Sequence, residues 1–232
     1  MIDAISVFLP FYNEEANIES VVLKTKKILG KNFKTWELIL INDGSKDKTG
    51  EIITRLAKAD QHIKPVQHPV NRGYGAALKS GFYSAKYPWI AFIDGDSQFD
   101  FSEITDFLAK QSETSADLVI GYYRKRQVSV IRKLNTTLWQ LVVTILFGLN
   151  VKDIDCAFKL VSKKVIDTIP KLESERGAFI SSELLIKARK SGFKIIEIPI
   201  THYPAKRVGT GANLNVIIKS FVDLFKLWAK LR

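Results

Sequence analysis

A chain of 232 residues, 46% hydrophobic and 25% charged, has the size and apolar content for one large domain with its own core, which excludes a disordered protein. Its single cysteine, Cys156, excludes an internal disulfide, suits a reducing compartment and reads as a packed thiol. The formal net charge of +11 points to an anionic partner (a phosphorylated substrate, anionic lipid or nucleic acid) or to solubility alone, and with no compact nucleic-acid motif present, nucleic acid is not expected.

Residues 1–9 lack the basic start and long apolar run of a secretory signal. The longest apolar stretch, residues 138–151, is interrupted by Gln140, Thr144 and Asn150. It falls short of the roughly 18 apolar residues of a spanning helix, so the chain is expected not to cross a membrane. In chain order, residues 5–9 predict a strand, 17–29 a helix, 37–41 a strand, 48–59 a helix and 63–67 a third strand. Residues 75–85 predict a helix of small residues, 89–93 a fourth strand, 102–111 a helix capped by Ser102, and 118–121 another strand. Ser181-Ser182-Glu183 reads as a helix start, with Glu183 near a bound sugar. Residues 214–232 predict an amphipathic helix following a single domain over residues 1–213. Apolar strands alternating with helices predict an α/β fold, a parallel sheet with helices on both faces.

In such sheets ligands bind beyond the carboxyl ends of the strands, and the polar clusters fall there. Tyr12-Asn13-Glu14-Glu15 follows the first strand and Asp43-Gly44-Ser45 the second. Asn71-Arg72-Gly73 comes shortly after the third, and Asp94-Gly95-Asp96 follows the fourth. Side chains two apart on an extended chain point the same way, so Asp94 and Asp96 repel unless a cation intervenes. A hard ion, Mg²⁺ or Mn²⁺, meets that charge and can bridge a diphosphate, with Gln98 orienting the same site. A plain solvated turn is the other reading of Asp-x-Asp. Asp43 can accept from a nucleobase or ribose, or cap the helix at Lys48. The glycines of Asn71-Arg72-Gly73-Tyr74-Gly75 can bring backbone N–H groups to phosphate, or form an ordinary turn. His62 and His68 read as surface or loop residues.

Taken together, Pro10-Phe11-Tyr12-Asn13-Glu14-Glu15, Asn42-Asp43-Gly44-Ser45, Asn71-Arg72-Gly73-Tyr74-Gly75 and Asp94-Gly95-Asp96-Ser97-Gln98 resemble, in order, the motifs of the inverting family 2 glycosyltransferases. The resemblance implies the GT-A nucleotide-diphospho-sugar transferase fold, with a mostly parallel central sheet. It implies a nucleotide-sugar donor held by Pro10, Tyr12, Glu14, Asp43, Arg72 and Gly73, and a metal held by Asp94, Asp96 and Gln98. The second half resembles the polyprenyl-phosphate glycosyltransferases within that family. Gly121-Tyr122-Tyr123-Arg124 is similar to their Gly-x-Arg segment, with the arginine one place later. Arg132 and Thr136 are similar to a pair for the lipid phosphate. Asp153-Ile154-Asp155-Cys156-Ala157-Phe158-Lys159 is similar to an Asp-x-x-x-Gly-Phe-Arg segment, with Ala157 and Lys159 as departures. His202, Arg207 and Gly209 resemble a basic lid over the diphosphate, from which Thr210-Gly211 departs.

The resemblance therefore implies transfer of a hexose, from a donor of the GDP-mannose or UDP-glucose type, to polyprenyl phosphate. Asp94, Asp96, Arg132 and Asp155 would be catalytic, and Arg124, Thr136 and Arg207 would hold phosphate. The expected location is the cytoplasmic face of a membrane, as a peripheral protein. An ionised phosphate acceptor needs positioning and charge neutralisation rather than a general base. A transferase acting on a saccharide or protein hydroxyl is the alternative, with Asp153 or Asp155 as base. A noncatalytic nucleotide-binding module is the reading from another class. The 214–232 helix places Ile217, Phe221, Leu224, Trp228 and Leu231 on one stripe, expected either to meet the membrane surface or to pack on the domain.

Overall fold

The computed structural model describes residues 2–124, 130–175, 177, 179–203 and 214–231; side chains are described in all of these except 130–135 and 214–219. Seven strands are present among them: β1 (Ala4–Phe11), β2 (Thr35–Asn42), β3 (Ile63–Gln67), β4 (Trp89–Phe92), β5 (Leu118–Tyr123), β6 (Lys159–Ser162) and β7 (Ile195–Ile200). They form one sheet in the order β3-β2-β1-β4-β6-β5-β7. The β3-β2-β1-β4 half is parallel, as is the β5–β7 pair, whereas β6 runs antiparallel to both neighbours. The carboxyl ends of β1 to β4 therefore open on one edge, where the polar loops follow.

Strand alternation sends side chains to two cores. Phe8, Ile39, Ile41, Phe92, Leu118 and Val161 face α3 (Tyr74–Ser84), α6 (Lys163–Thr168) and α7 (Phe179–Lys190). That core also takes in Val143 and Phe147 of α5 (Val130–Phe147) and Leu224 and Leu227 of α8 (Leu214–Lys230). Val7, Leu9, Leu38, Leu40, Ala91 and Leu160 face α1 (Ile18–Asn32), α2 (Thr49–Ala59) and α4 (Ile104–Thr114). The ring of Phe8 stacks on Phe92 at 4.9 Å and meets Phe82 of α3 edge-on at 5.0 Å, fixing helix to sheet.

Two sequence expectations change, and one left open is narrowed. Asp100, not Ser102, is the capping side chain: it accepts the Ser102 N–H at 2.9 Å, and a 3₁₀ turn over Phe101–Glu103 precedes α4. Ser181, Ser182 and Glu183 lie inside α7, buried, because the helix starts at Phe179. In α8, Leu224 is fully buried, Phe221 packs edge-on against Trp139, and Trp228 and Leu231 lie against the core. The described part of the predicted stripe thus packs on the domain, one of the two readings open for it. Among the described residues no helix is long and apolar enough to cross a membrane.

Cys156 is fully buried, and burial pushes its thiol up to about 12. The folded chain is therefore expected to resist a maleimide at pH 8 and to label once unfolded in denaturant. Fast labelling of the native chain, followed by mass spectrometry, would contradict this packing.

Candidate active site

The loops after β1 and β2 are laced together by side-chain to backbone bonds. Asn13, at φ 55°, donates its N–H to Ser45 Oγ (3.0 Å) and accepts the Lys46 N–H on Oδ1 (2.8 Å). Glu14 N–H donates to Thr49 Oγ1 (2.9 Å), and Glu15 Oε2 accepts the Lys48 N–H (2.9 Å). These bonds fix the backbone beside Pro10 and leave the Tyr12 ring 44% exposed, open to a planar partner.

Asp43, at the end of β2, is 4% exposed. Its Oδ1 lies 2.7 Å from His68 Nδ1 and accepts the Arg72 N–H at 2.9 Å. Its Oδ2 accepts from Asn71 Nδ2 at 2.9 Å and from the Gly73 N–H at 2.8 Å. A carboxylate has about four lone-pair positions, so Asp43 is saturated by the loop it was expected to share a nucleoside with. The next residue must be glycine: Gly44 sits at φ 65°, and a Cβ there would fall 2.2 Å from the Val70 carbonyl carbon.

Asp94 and Asp96 leave the end of β4 side by side. Burial, then the charge of Asp96, raises the Asp94 carboxyl to about 7, against a hydrogen bond from the Tyr74 hydroxyl to Oδ1 (2.9 Å) and the charge of Lys159. Asp96 is raised by burial and by the charge of Glu14, opposed by the Gln98 N–H on its Oδ1 (3.0 Å). Neighbouring negative charge thus opposes ionisation at both, a deficit that a divalent cation meets. Among the described residues no three His, Cys, Asp or Glu side chains form a ready-made metal cage. An ion on this pair would complete its shell from water and substrate phosphate, which suits Mg²⁺. Gln98 also ties this loop to residues 201–203: its carbonyl accepts the Tyr203 N–H (3.0 Å) and its Nε2 donates to Tyr203 O (3.3 Å).

Lys159 is fully buried below the acids. Its ammonium donates to the carbonyls of Ile154 and Cys156, lies 5.6 Å from the Phe92 ring centre, and shares its field with Asp153, Asp155 and Asp94. Asp153 is 4% exposed and its Oδ1 accepts the Asp155 N–H at 3.1 Å. Arg124 follows β5, exposed, and Thr136 lies on α5. Arg207, with Gly209, Thr210 and Gly211, lies outside the described residues, as does the Arg132 side chain. Arg72 pairs with Glu175 (2.9 Å), which also takes Lys79 (2.9 Å). Glu183 accepts the N–H groups of Glu173 and Ser174 (2.8 and 2.9 Å) and pairs with buried Lys187 (2.6 Å), so it props up the loop carrying Glu175.

The sequence reading named Tyr74 and Lys159 only as members of motifs, passed over Glu175, and took His68, which is buried, for a surface or loop residue. His68 carried a usable signal: it directly follows the third strand, as Asp43 follows the second and Asp94 nearly follows the fourth.

The glycosyl transferase family 2 model matches residues 6–169. A dolichyl-phosphate beta-glucosyltransferase of Trichomonas vaginalis is 30% identical over 96% of this chain and 72% of its own length. An undecaprenyl-phosphate 4-deoxy-4-formamido-L-arabinose transferase of Salmonella choleraesuis is 31% identical over 87% of this chain, which spans only 60% of that relative. Glucosyl-3-phosphoglycerate synthase of Mycobacterium tuberculosis, solved with Mn²⁺, uridine diphosphate and glucosyl-3-phosphoglycerate, superposes with a TM-score of 0.72 over 98% of this chain and 80% of that one. At 22% identity that likeness shows a shared fold, the GT-A fold.

Gly95 lets the acid loop lie on β1, since a Cβ there would come 2.3 Å from the Phe11 ring and 2.8 Å from Pro10 O. Gly95→Ala is expected to cost about 1–3 kcal/mol by overpacking. Urea unfolding measures it, and an unchanged midpoint would refute this contact.

Proposed function

The chain belongs to glycosyl transferase family 2, and from that premise we propose that it moves a hexose from a nucleotide sugar to a polyprenyl phosphate, with inversion. The observation that carries the donor half is the acid pair at the end of β4, with its uncompensated negative charge. The two polyprenyl-phosphate transferases among the relatives support the acceptor half.

In this reading Asp94 and Asp96, with Gln98 beside them, would hold Mg²⁺ or Mn²⁺, which would supply positive charge to a nucleoside diphosphate leaving group. Tyr74 fixes the orientation of Asp94 through its hydroxyl. Lys159, whose ammonium burial pushes below its ordinary value against the charges of Cys156, Asp153, Asp155 and Asp94, lends its field to Asp94 and holds the turn after Asp153 by the carbonyls of Ile154 and Cys156. Pro10, Tyr12 and Glu14 face the nucleoside, and Arg72 and Gly73 the donor phosphates. Arg124, Arg132 and Thr136 hold the acceptor phosphate, which attacks the anomeric carbon without a base, and Arg207 belongs to the lid over the donor diphosphate. Asp155 lines the acceptor side. Asp153, buried and bonded to the Asp155 N–H, is poorly placed as base for a hydroxyl acceptor, which favours the phosphate.

The acceptor's lipid chain requires a membrane face. The helix expected to carry Arg132 and Thr136 continues into Leu138, Leu141 and Ile145, which are 50, 54 and 72% exposed. Val222 and Phe225 of the adjoining α8 are 46 and 52% exposed. This apolar face on a chain of net charge +11 suits the surface of an anionic bilayer, with the protein peripheral at the cytoplasmic side.

Radiolabelled nucleotide sugars offered with polyprenyl phosphate in vesicles should put label into the lipid extract. Asp96→Asn should lower that transfer by about 100-fold or more, and chelation should stop it until Mg²⁺ or Mn²⁺ is restored. Full transfer by metal-stripped protein would sink the metal assignment, and label confined to the aqueous phase would sink the acceptor. Changing both Leu141 and Phe225 to Gln should weaken flotation with anionic vesicles while leaving the melting temperature near wild type. Undiminished flotation would move the membrane face elsewhere.

A further inference from the structure

We infer that His68 is a positioning residue of the donor site: through Asp43 it fixes the Asn71-Arg72-Gly73 turn against which a nucleoside diphosphate lies. The inference rests on the nucleotide-sugar reading above and extends it to residues that make no contact with the donor.

His68 follows β3 directly, is 7% exposed, and continues the parallel ladder by donating its N–H to Asn42 O (2.9 Å). Its ring bridges two elements. Nδ1 lies 2.7 Å from Asp43 Oδ1, and Nε2 lies 2.9 Å from Ser80 Oγ on α3. The network assigns the hydrogens. Asp43 offers only acceptor oxygens to its partners, so Nδ1 carries the proton; in the neutral ring Nε2 then accepts from the Ser80 hydroxyl.

The order Ser80–His68–Asp43 has the connectivity of a nucleophilic triad, but here the bonds beyond the carboxylate decide its task. They run to the backbone N–H groups of Arg72 and Gly73 and to the Asn71 amide. With Oδ1 shared between His68 and Arg72, and Oδ2 between Asn71 and Gly73, a carboxylate rotated out of place would lose the turn. His68 opposes that rotation by holding Oδ1 through Nδ1 from the end of β3, where its own backbone is bonded to Asn42, and the turn so steadied opens α3: Gly73, at φ 100°, is its N-cap. The turn in turn sets the root of Arg72, whose half-exposed guanidinium meets Glu175. Asp43, with its lone pairs spent inside the protein, serves the nucleotide by shaping this turn rather than by touching it.

Asn and Gln at position 68 separate the two ring nitrogens. His68→Asn sets an amide N–H near the place of Nδ1 and keeps the Asp43 bond; His68→Gln reaches toward the place of Nε2 and loses it. In the full chain, hydrogen exchange at the Arg72 and Gly73 amides should quicken in His68→Gln and stay close to wild type in His68→Asn and Ser80→Ala. Titration with UDP and with GDP, each with Mg²⁺, should show His68→Gln weakened roughly tenfold or more, the loss of one bond to a charged group, and His68→Asn within roughly threefold. The donor KM should rise with kcat little changed. Equal behaviour of the Asn and Gln variants, or a lowered melting temperature with unaltered exchange and nucleotide affinity, would reduce His68 to packing and overturn the inference. A wild type that bound neither nucleotide would overturn the nucleotide-sugar reading instead, and the exchange rates would still decide whether His68 holds the turn.

Discussion

Negative charge crowded at the end of β4 is the constraint around which the rest of the site is arranged. Asp94 and Asp96 are brought together by strand spacing, Glu14 adds its field from the next loop, and burial denies all of this the screening of water. The compensation built into the chain is partial and comes from beneath and beside: the Tyr74 hydroxyl on one oxygen of Asp94, and the ammonium of Lys159. Burying that ammonium is itself costly, and it is offset by two backbone carbonyls and the face of Phe92. Gly95 then lowers the acid loop onto Phe11, so the pair cannot relax outward into solvent without leaving β1. What remains is a small anionic basin on an otherwise basic protein, a local charge opposite to the global one.

The same residue type serves a second purpose around the basin. Asp43 takes the backbone N–H groups of Arg72 and Gly73, Glu183 those of Glu173 and Ser174, Glu197 that of Lys152, and Glu103 that of Thr201. The bonds of Asp43, Glu197 and Glu103 join segments 29 or more residues apart, and those of Glu183 close a shorter loop. Bonds from N–H to carboxylate are charge-assisted and directional, so loops that would otherwise drift are pinned to strands and helices. Glu183 is also paired with Lys187, whereas no basic side chain forms an ion pair with Glu103 or Glu197 among the described residues. Arg72 and Lys79 both meet one exposed Glu175 in a contact that solvent weakens.

The parallel half of the sheet was readable because its strands are apolar runs that stop at polar clusters, and the sequence motifs sit at those stops. Less readable was β6, four residues long and opened by a buried lysine, which no hydrophobic pattern announces. A sequence also does not distinguish a carboxylate that binds a ligand from one that anchors a loop. Asp43 and Asp94 both follow buried strands, yet one is saturated by internal donors and the other is short of them. His68 read as an ordinary loop residue because its two partners, Asp43 and Ser80, are 25 and 12 residues away. Ser102 was a reasonable cap by type, but Asp100 reached its N–H first.

Helical periodicity left a related question open at α8. It identified a stripe through Phe221, Leu224 and Trp228, and a stripe specifies that a face must be covered without saying by what. The domain core covers that face. Yet Val222 and Phe225 point elsewhere, and α5 repeats the arrangement, with Val143 and Phe147 inward while Leu138, Leu141 and Ile145 are exposed. Trp139 of α5 meets Phe221 of α8 edge-on and bonds Ser182 of α7, so the outer faces of these helices are held in fixed relation. Packing against the core accounts for one apolar face on each helix. Exposed apolar residues on the other sides of the two helices, which Trp139 and Phe221 join, are not accounted for by packing against the core, and that is why the membrane face is proposed there.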